Sequence, residues 1–236
     1  MFQHQQFDRF ARQWLADYHT TGRTIYCQAG CSGCCSLVVH TTFPEAMRIA
    51  QQLTTDQERQ LALYLERLRR AVPHLSSMKS YLRSHRSQLG ACPLLDSAGR
   101  CTVYPERPLS CRALLSTRPS AWCVADLSRL DPWDKRAYQA GLDRQVVTWP
   151  THFVAATRDL AEELERQILE TMRAETGWSL WGNLAVLIGL ARALLLEAGA
   201  TMTAGDILER INHQGLNVPW LLNLQAEPCH DVMESR

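Results

Sequence analysis

Apolar residues recur at helical spacing along most of the chain. Two clear examples are Leu61, Leu65, Leu68 and Val72 in one segment, and Leu160, Leu164, Ile168 and Met172 in another that begins after Pro150. The N-terminal stretch MFQHQQFDRFARQWLADYH also has the pattern of an amphipathic helix. Alternation of period two is confined to short pieces at residues 37–40 and 101–104. We therefore predict a mainly α fold, a helical domain with an irregular cysteine-rich region.

Capping residues mark where several helices begin. Thr42, followed by Pro44 and Glu45, predicts a helix through about Leu53. Thr55 and Glu58 form a capping box that begins the next helix. We predict further helices from Ser76 to Gln88, from Asp131 with Pro132 to about Val147, and from Thr203 or Asp206 to near Gly215.

The most apolar stretch is WSLWGNLAVLIGLARALLLEAGA, from Trp178 to Ala200. Asn183, Arg192 and Glu197 interrupt it, and its longest apolar run is shorter than the roughly 18 residues of a membrane span. We therefore predict no membrane span and expect a buried core helix. The alternative is a helix at the interface of a homo-oligomer.

Composition narrows the range of partners. The chain has 236 residues, of which 46% are hydrophobic, and this suits a single domain over residues 1–236. Within it we expect a cysteine-cluster region at 20–125 and a helical C-terminal half at 131–236. A formal charge of +1 argues against a nucleic-acid partner. The N-terminus has no apolar segment of the signal-peptide type, so we expect a cytoplasmic location.

Nine cysteines are the main chemical signal. Disulfides are rare in the cytosol, and an odd number cannot all pair, so metal ligation explains them better. They form two groups along the sequence: Cys27, Cys31, Cys34 and Cys35, then Cys92, Cys101, Cys111 and Cys123, with Cys229 left over. Four thiolates satisfy one zinc ion or one iron-sulfur cluster, so the two groups allow one or two centres.

The adjacent pair Cys34 and Cys35 favours a cluster over a single ion. Successive side chains are expected to diverge, so the two thiols should not bind the same small ion, whereas a cluster several ångströms across can accept both. We therefore predict an iron-sulfur cluster, [4Fe-4S] in type, with zinc as the alternative. Arg107 and Arg112 lie beside the second group and are expected to offset the cluster's negative charge.

The order CQAGCSGCC and then CPLLDSAGRCTVYPERPLSCR resembles the YkgJ-type cysteine-cluster family of zinc- or iron-chelating domains. The resemblance covers about residues 20–125. It implies metal-binding roles for Cys27, Cys31, Cys34, Cys35, Cys92, Cys101 and Cys111, with Cys123 as a later cysteine found in many members. Tyr104, Arg107, Pro108 and Arg112 occupy the other signature positions, and Tyr104 and Arg107 are candidates for binding a small anion.

The resemblance leaves the function open between three classes. The first is an iron-sulfur protein with a redox, sensing or modification role, whose C-terminal half binds a protein or redox partner or a substrate. The second is a zinc module that presents an interaction surface. The third is a protein lysine methylase, because the family includes flagellin lysine-N-methylases, although no glycine-rich nucleotide turn is visible. Whether the chain is an enzyme stays open.

The cysteine spacing and the histidines carry two further signals. Cys27, Cys31 and Cys34 have the CxxxCxxC spacing of radical-SAM enzymes, but no alternation of strands and helices follows them. Among the histidines, His40 is interpreted as a hydrogen-bonded or surface residue, and His74 and His85 as solvated residues on a basic helix.

Overall fold

Helices dominate the structure, a computed structural model that describes residues 2–28, 30–196 and 202–226. The helices are α1 Phe2–Thr20, α2 Phe43–Ala50, α3 Thr55–Ala71, α4 Met78–Ser84, α5 Leu109–Arg112, α6 Ala121–Val124, α7 Pro132–Ala140, α8 Ala155–Thr176, α9 Leu184–Leu196 and α10 Ala204–His213. Single helical turns cover Gly33–Ser36, Val72–His74, His85–Leu89 and Tyr104–Glu106. The mainly α fold class is confirmed.

Local capping chemistry explains most helix starts. The carboxylate of Glu45 accepts hydrogen bonds from the N–H and hydroxyl of Thr42 and so fixes the first turn of α2. The predicted capping box of α3 is wrong by one residue, because Thr54 is the N-cap and pairs with Gln57. The helix begun by Asp131 ends at Ala140, well before the predicted end.

A small antiparallel sheet joins distant parts of the chain. Its strands are β1 His40–Thr42, β2 Trp178–Asn183 and β3 Leu222–Ala226, in the order β1-β2-β3. The prediction of one helix from Trp178 to Ala200 is therefore wrong over its first six residues. Helices α2, α8 and α9 pack against β2, and its residues are nearly all buried and show no alternation.

Asn183 marks the boundary between β2 and α9. Its side-chain oxygen accepts a hydrogen bond from the N–H of Val186 at 3.1 Å, as an N-cap does, and its Nδ2 donates to Tyr81 at 2.8 Å. Arg192, the next polar residue in this stretch, pairs with Glu58 on α3 at 2.6 Å. Both polar interruptions thus have a partner side chain within one chain, while Glu197 and Ala200 lie outside the described residues.

Helix α9 lies at the centre of the main core and packs against α2 and α3. Its fully buried residues are Leu184, Ala185, Val186, Leu187, Ile188, Leu190 and Ala191. This agrees with the interpretation of a core helix. Within the described ranges, no helix combines the length and the apolar character needed to cross a bilayer.

Candidate metal centre

Cys34 and Cys35 lie in a single 3₁₀ turn, Gly33–Ser36. Both thiols line one cavity, and the neighbouring Cys35 thiol raises the pKa of Cys34. Successive residues of a 3₁₀ turn are about 120° apart around its axis, so the two side chains leave the turn in different directions and still border the same space. The backbone carbonyl of Cys35 accepts a hydrogen bond at 2.9 Å from the N–H of Cys92, which joins the two cysteine segments.

The second segment folds back on itself and brings Cys101 beside Cys92. Asp96 organises this turn: its Oδ1 accepts hydrogen bonds from the N–H groups of Ala98 and Arg100, and its Oδ2 binds the guanidinium of Arg100 at 2.9 Å. Gly99 adopts φ +74°, a conformation that favours glycine. The turn thus places two thiols on one side of the cavity.

Six cysteines surround the cavity, which has a volume of about 60 Å³. One water needs only roughly 10–15 Å³ of such space, so several atoms fit. The six are Cys31, Cys34, Cys35, Cys92, Cys101 and Cys111. The other walls are largely apolar and include Leu37, Val39, Leu94 and Val103.

Burial favours the protonated form of Cys92 and Cys111 in this cavity. It raises the pKa of Cys92 to about 11, with repulsion from Cys101 and Cys34 adding to the shift, and it raises the pKa of Cys111 well above the ordinary value. The pKa of Cys34 is raised first by its hydrogen bond with Cys35 and then by burial. A metal would therefore displace protons from these thiols when it binds.

Arg107 is the cation of the cavity. Its guanidinium carbon lies 3.7 Å from the centre of the Tyr104 ring, and both side chains line the cavity. Burial raises the pKa of Cys101 and Cys111, and the charge of Arg107 opposes that shift. The Nε of Arg107 is buried and has no hydrogen-bond partner. An anionic group in the cavity would compensate both the charge and this unpaired donor.

Arg112 has a different position. Its Nη1 binds the carboxylate of Asp8 at 2.9 and 3.0 Å, and its other nitrogens donate to the carbonyls of Arg107 and Pro105. Among the described residues, the lining of the cavity includes Arg107 but not Arg112. Arg112 therefore fixes the loop that carries Arg107 and Tyr104 onto α1.

A buried carboxylate supports the helix that carries Cys111. Glu45 is 1% exposed and accepts hydrogen bonds from His4 at 2.9 Å, from the Leu109 N–H at 2.8 Å and from the hydroxyls of Thr41 and Thr42. Burial raises the pKa of Glu45, but the His4 and Leu109 hydrogen bonds outweigh it, so the net pKa is lowered. Glu45 thus ties α1, β1 and α5 together.

Cys123 lies with the first cysteine group, although its sequence position placed it in the second. A Cβ on Gly33 would come within 3.0 Å of the Cβ of Cys123, so only glycine lets these segments approach so closely. The N–H of Ser116 donates to Cys27 Sγ at 3.1 Å. Burial raises the pKa of Cys123 to about 11. The Ser116 side chain opposes this shift, and the charges of Cys27, Cys34 and Cys31 add to it.

His152 is a site residue that the sequence reasoning missed. It is 2% exposed, and its Nε2 lies 3.4 Å from Cys123 Sγ. Its Nδ1 lies 2.8 Å from the hydroxyl of Tyr138. Burial, with a smaller contribution from Arg118, lowers the pKa of His152 to about 4, so the ring is neutral near pH 7. No spacing motif connects this histidine with the cysteines, so only the fold reveals it.

His85 and His40 are the two other histidines whose surroundings were predicted from the sequence. The interpretation of His85 as a solvated residue is wrong: it is 4% exposed, lines the thiol cavity and has a buried Nδ1 without a partner. His40 is hydrogen-bonded, as interpreted, because its Nε2 lies 3.2 Å from the carbonyl of Trp220. Cys229 lies outside the described residues.

The residue types fit a metal or cluster, since thiolates are strong ligands for zinc and for iron-sulfur clusters. In the described parts of the chain, no group of three or more His, Cys, Asp or Glu side chains is yet close enough together to hold an ion. The thiols line a cavity wall, so side chains must rotate inward when a metal binds.

Comparison with known proteins agrees with the cysteine pattern. Residues 26–132 match the family model described as "CxxCxxCC: Putative zinc- or iron-chelating domain". Neither the curated proteins nor the solved structures contain a significant match to the chain. The matched segment holds the eight cysteines from Cys27 to Cys123 and ends before His152. Over residues 26–132 the chain is therefore similar to this family of zinc- or iron-chelating domains.

Proposed function

We propose that the chain is an iron-sulfur protein with a [4Fe-4S] cluster in the thiol cavity. The observation that carries this proposal is the set of six cysteines around one small, largely apolar space. A structural zinc ion takes four ligands, so six thiols exceed what one zinc ion uses. A cluster offers several iron atoms to different thiols across a wider space.

The charges around the cavity support the same proposal. A cluster with four thiolates is an anion, and its stability depends on nearby positive charge and hydrogen-bond donors. Arg107 brings one fixed positive charge and a buried Nε that lacks a partner. Apolar walls limit access of water, which raises the influence of this charge on the reduction potential.

We propose a redox or sensing role, with a partner or substrate approaching through the neighbouring cavity. This second cavity has a volume of about 780 Å³ and lies between α8 and the strands β1 and β2. Val39 and Leu114 line both cavities, so only one layer of side chains separates them. Glu165 and Arg173 in its lining each have a buried polar atom without a hydrogen-bond partner, which suits a polar ligand.

The experiment that tests the cofactor is anaerobic purification followed by analysis of iron, zinc and acid-labile sulfide, with an absorption spectrum of the same sample. Iron and sulfide in equal amounts, about four or eight of each per chain, together with a brown chromophore, are expected. Zinc without sulfide would overturn the proposal and identify the second candidate, a zinc-binding interaction module, which the family description supports equally.

A further inference from the structure

Helix α6, which carries Cys123, packs against the Gly33–Ser36 turn. Cys27 accepts the N–H of Ser116 at 3.1 Å, and Cys123 approaches the turn at Gly33. Burial raises the pKa of Cys27 and of Cys123, and charge repulsion from both Cys34 and Cys31 adds to the shift. Among the described residues, the lining of the thiol cavity includes Cys31 but not Cys27 or Cys123, so the two groups of donors adjoin at Cys31.

A fourth donor, His152, is held against this set by the surrounding fold. Its backbone carbonyl accepts hydrogen bonds from the N–H of Thr117 at 3.0 Å and from the Thr117 hydroxyl at 2.9 Å. Its ring is fixed between Tyr138 on one nitrogen and Cys123 on the other. The imidazole therefore cannot turn away without losing contacts at both nitrogens.

We propose that Cys27, Cys31, Cys123 and His152 form a second metal site with three thiolates and one imidazole. This inference rests on the proposed function, in that it requires the cysteine region to bind metal. It goes beyond the family pattern, because His152 lies outside the matched residues 26–132. The site would take zinc or an iron-sulfur cluster, both of which accept mixed thiolate and imidazole ligands.

The Tyr138 contact supports a ligand role for His152. A histidine that binds metal usually donates its other ring N–H to an oxygen acceptor, which fixes the tautomer. The Tyr138 oxygen, 2.8 Å from Nδ1, can accept that hydrogen bond and leave the Nε2 lone pair directed at the Cys123 side. The Ser116 N–H at Cys27 adds the kind of hydrogen bond that stabilises a ligating sulfur.

The ligand set has an electrostatic consequence. Three thiolates and one neutral imidazole carry one negative charge less than four thiolates, and replacement of thiolate by imidazole raises the potential of a cluster. The only other charged group that influences His152 in the described chain is Arg118, whose guanidinium also donates to the carbonyl of Gly141. Two centres with different ligand sets would therefore differ in potential.

The test compares the wild-type chain with His152→Ala, His152→Cys and Tyr138→Phe, all purified anaerobically. His40→Gln is the matched control, because this partly buried histidine contacts the Trp220 carbonyl and not a cysteine. The readouts are metal and sulfide per chain, and nitrogen coupling in the pulsed EPR spectrum of the dithionite-reduced chain. If zinc is found, Co²⁺ is the probe, and its thiolate charge-transfer bands report the number of sulfur ligands.

We expect His152→Ala to lose about half of the bound metal and the imidazole nitrogen coupling, and His40→Gln to keep both. His152→Cys should restore metal without the nitrogen coupling. Tyr138→Phe should weaken metal binding roughly 10- to 100-fold, as loss of an outer hydrogen bond does elsewhere. With Co²⁺ as the probe, His152→Cys should strengthen the thiolate bands relative to wild type.

Failure of the proposed function and failure of the second metal site give different results. A wild-type chain without any bound metal refutes the proposed function and this site together. A wild-type chain that binds metal but shows no imidazole coupling, or whose metal content is unchanged in His152→Ala, refutes this site alone. Rapid alkylation of Cys123 in the metal-loaded chain would also refute it and would identify Cys123 and His152 as a free thiol-imidazole pair. If His152→Ala does not fold, His152→Cys and Tyr138→Phe decide the question.

Discussion

Glu165 gives the most quantitative prediction. It lies on α8 in the lining of the larger cavity, and its Oε1 is buried without a partner. Burial, followed by repulsion from Glu45, raises the pKa of Glu165 to about 8, and hydrogen bonds from Ser110 offset only part of that shift. The carboxyl is therefore protonated in the folded chain at pH 7, whereas in the unfolded chain it is ionised above about pH 4.5.

The sign of the pH dependence follows from this difference. A pKa that is raised in the folded state contributes stability that is complete below the unfolded pKa and is lost as the pH rises toward the folded pKa. Each pKa unit corresponds to about 1.4 kcal/mol, so the full shift is worth roughly 3–5 kcal/mol between pH 4.5 and 8. Glu165→Gln removes this term, because glutamine cannot ionise.

The assay is denaturant unfolding of wild type and Glu165→Gln, with identical metal loading, at several values between pH 5 and 8. We expect equal stability near pH 5 and an advantage for Glu165→Gln that grows by roughly 1–3 kcal/mol by pH 7. Glu163→Gln is the control. Arg166 lowers the pKa of Glu163, so the stability difference between Glu163→Gln and wild type should stay constant between pH 5 and 8. Parallel profiles for wild type and Glu165→Gln would refute the reasoning.

Three other substitutions test the cysteine region. Cys34→Ser should substantially reduce bound metal, whereas Cys229→Ser should not, as measured by metal analysis. Arg107→Gln should keep the metal but shift the midpoint potential downward in a redox titration, because the reduced, more negative cluster loses a nearby positive charge. Gly33→Ala should destabilise the chain by about 1–3 kcal/mol in denaturant unfolding, because its Cβ would meet Cys123 at 3.0 Å.

Different results would contradict each argument. Equal metal content in the two serine variants would remove Cys34 from the ligand set. An unchanged potential in Arg107→Gln would leave that arginine with only its contact to Tyr104. A fully stable Gly33→Ala would mean that α6 can move away from the 3₁₀ turn without cost.

Helix boundaries were predictable where the responsible chemistry is local. Thr42 and Glu45 at α2, Asp131 at α7 and Thr203 at α10 cap their helices through side chains only a few residues away. Each of these signals involves residues within about one helical turn of each other, so it can be recognised in the sequence alone. β2 was not predictable, because a strand buried on both faces has no alternation and resembles the apolar helix that follows it.

The candidate site, too, was predictable from the sequence only in part. Residue type and spacing mark the eight cysteines and Arg107 as candidates, and six of these cysteines line one cavity together with Arg107. Their grouping could not be predicted, since the approach of Cys123 to Gly33 depends on contacts between segments about 90 residues apart. His152 gave no signal, because a single histidine in a loop has no periodic or spaced partner.

The hydrogen bond between the Cys35 carbonyl and the Cys92 N–H has a consequence for biosynthesis. These residues are separated by 57 positions in the chain, which corresponds to roughly 3–11 s of translation at ~5–20 residues per second. During that interval the first thiols have left the ribosome without the partners that complete the cavity. Metal insertion on the proposed ligand set therefore follows synthesis of Cys111, and the nascent cysteines depend on a reducing environment until then.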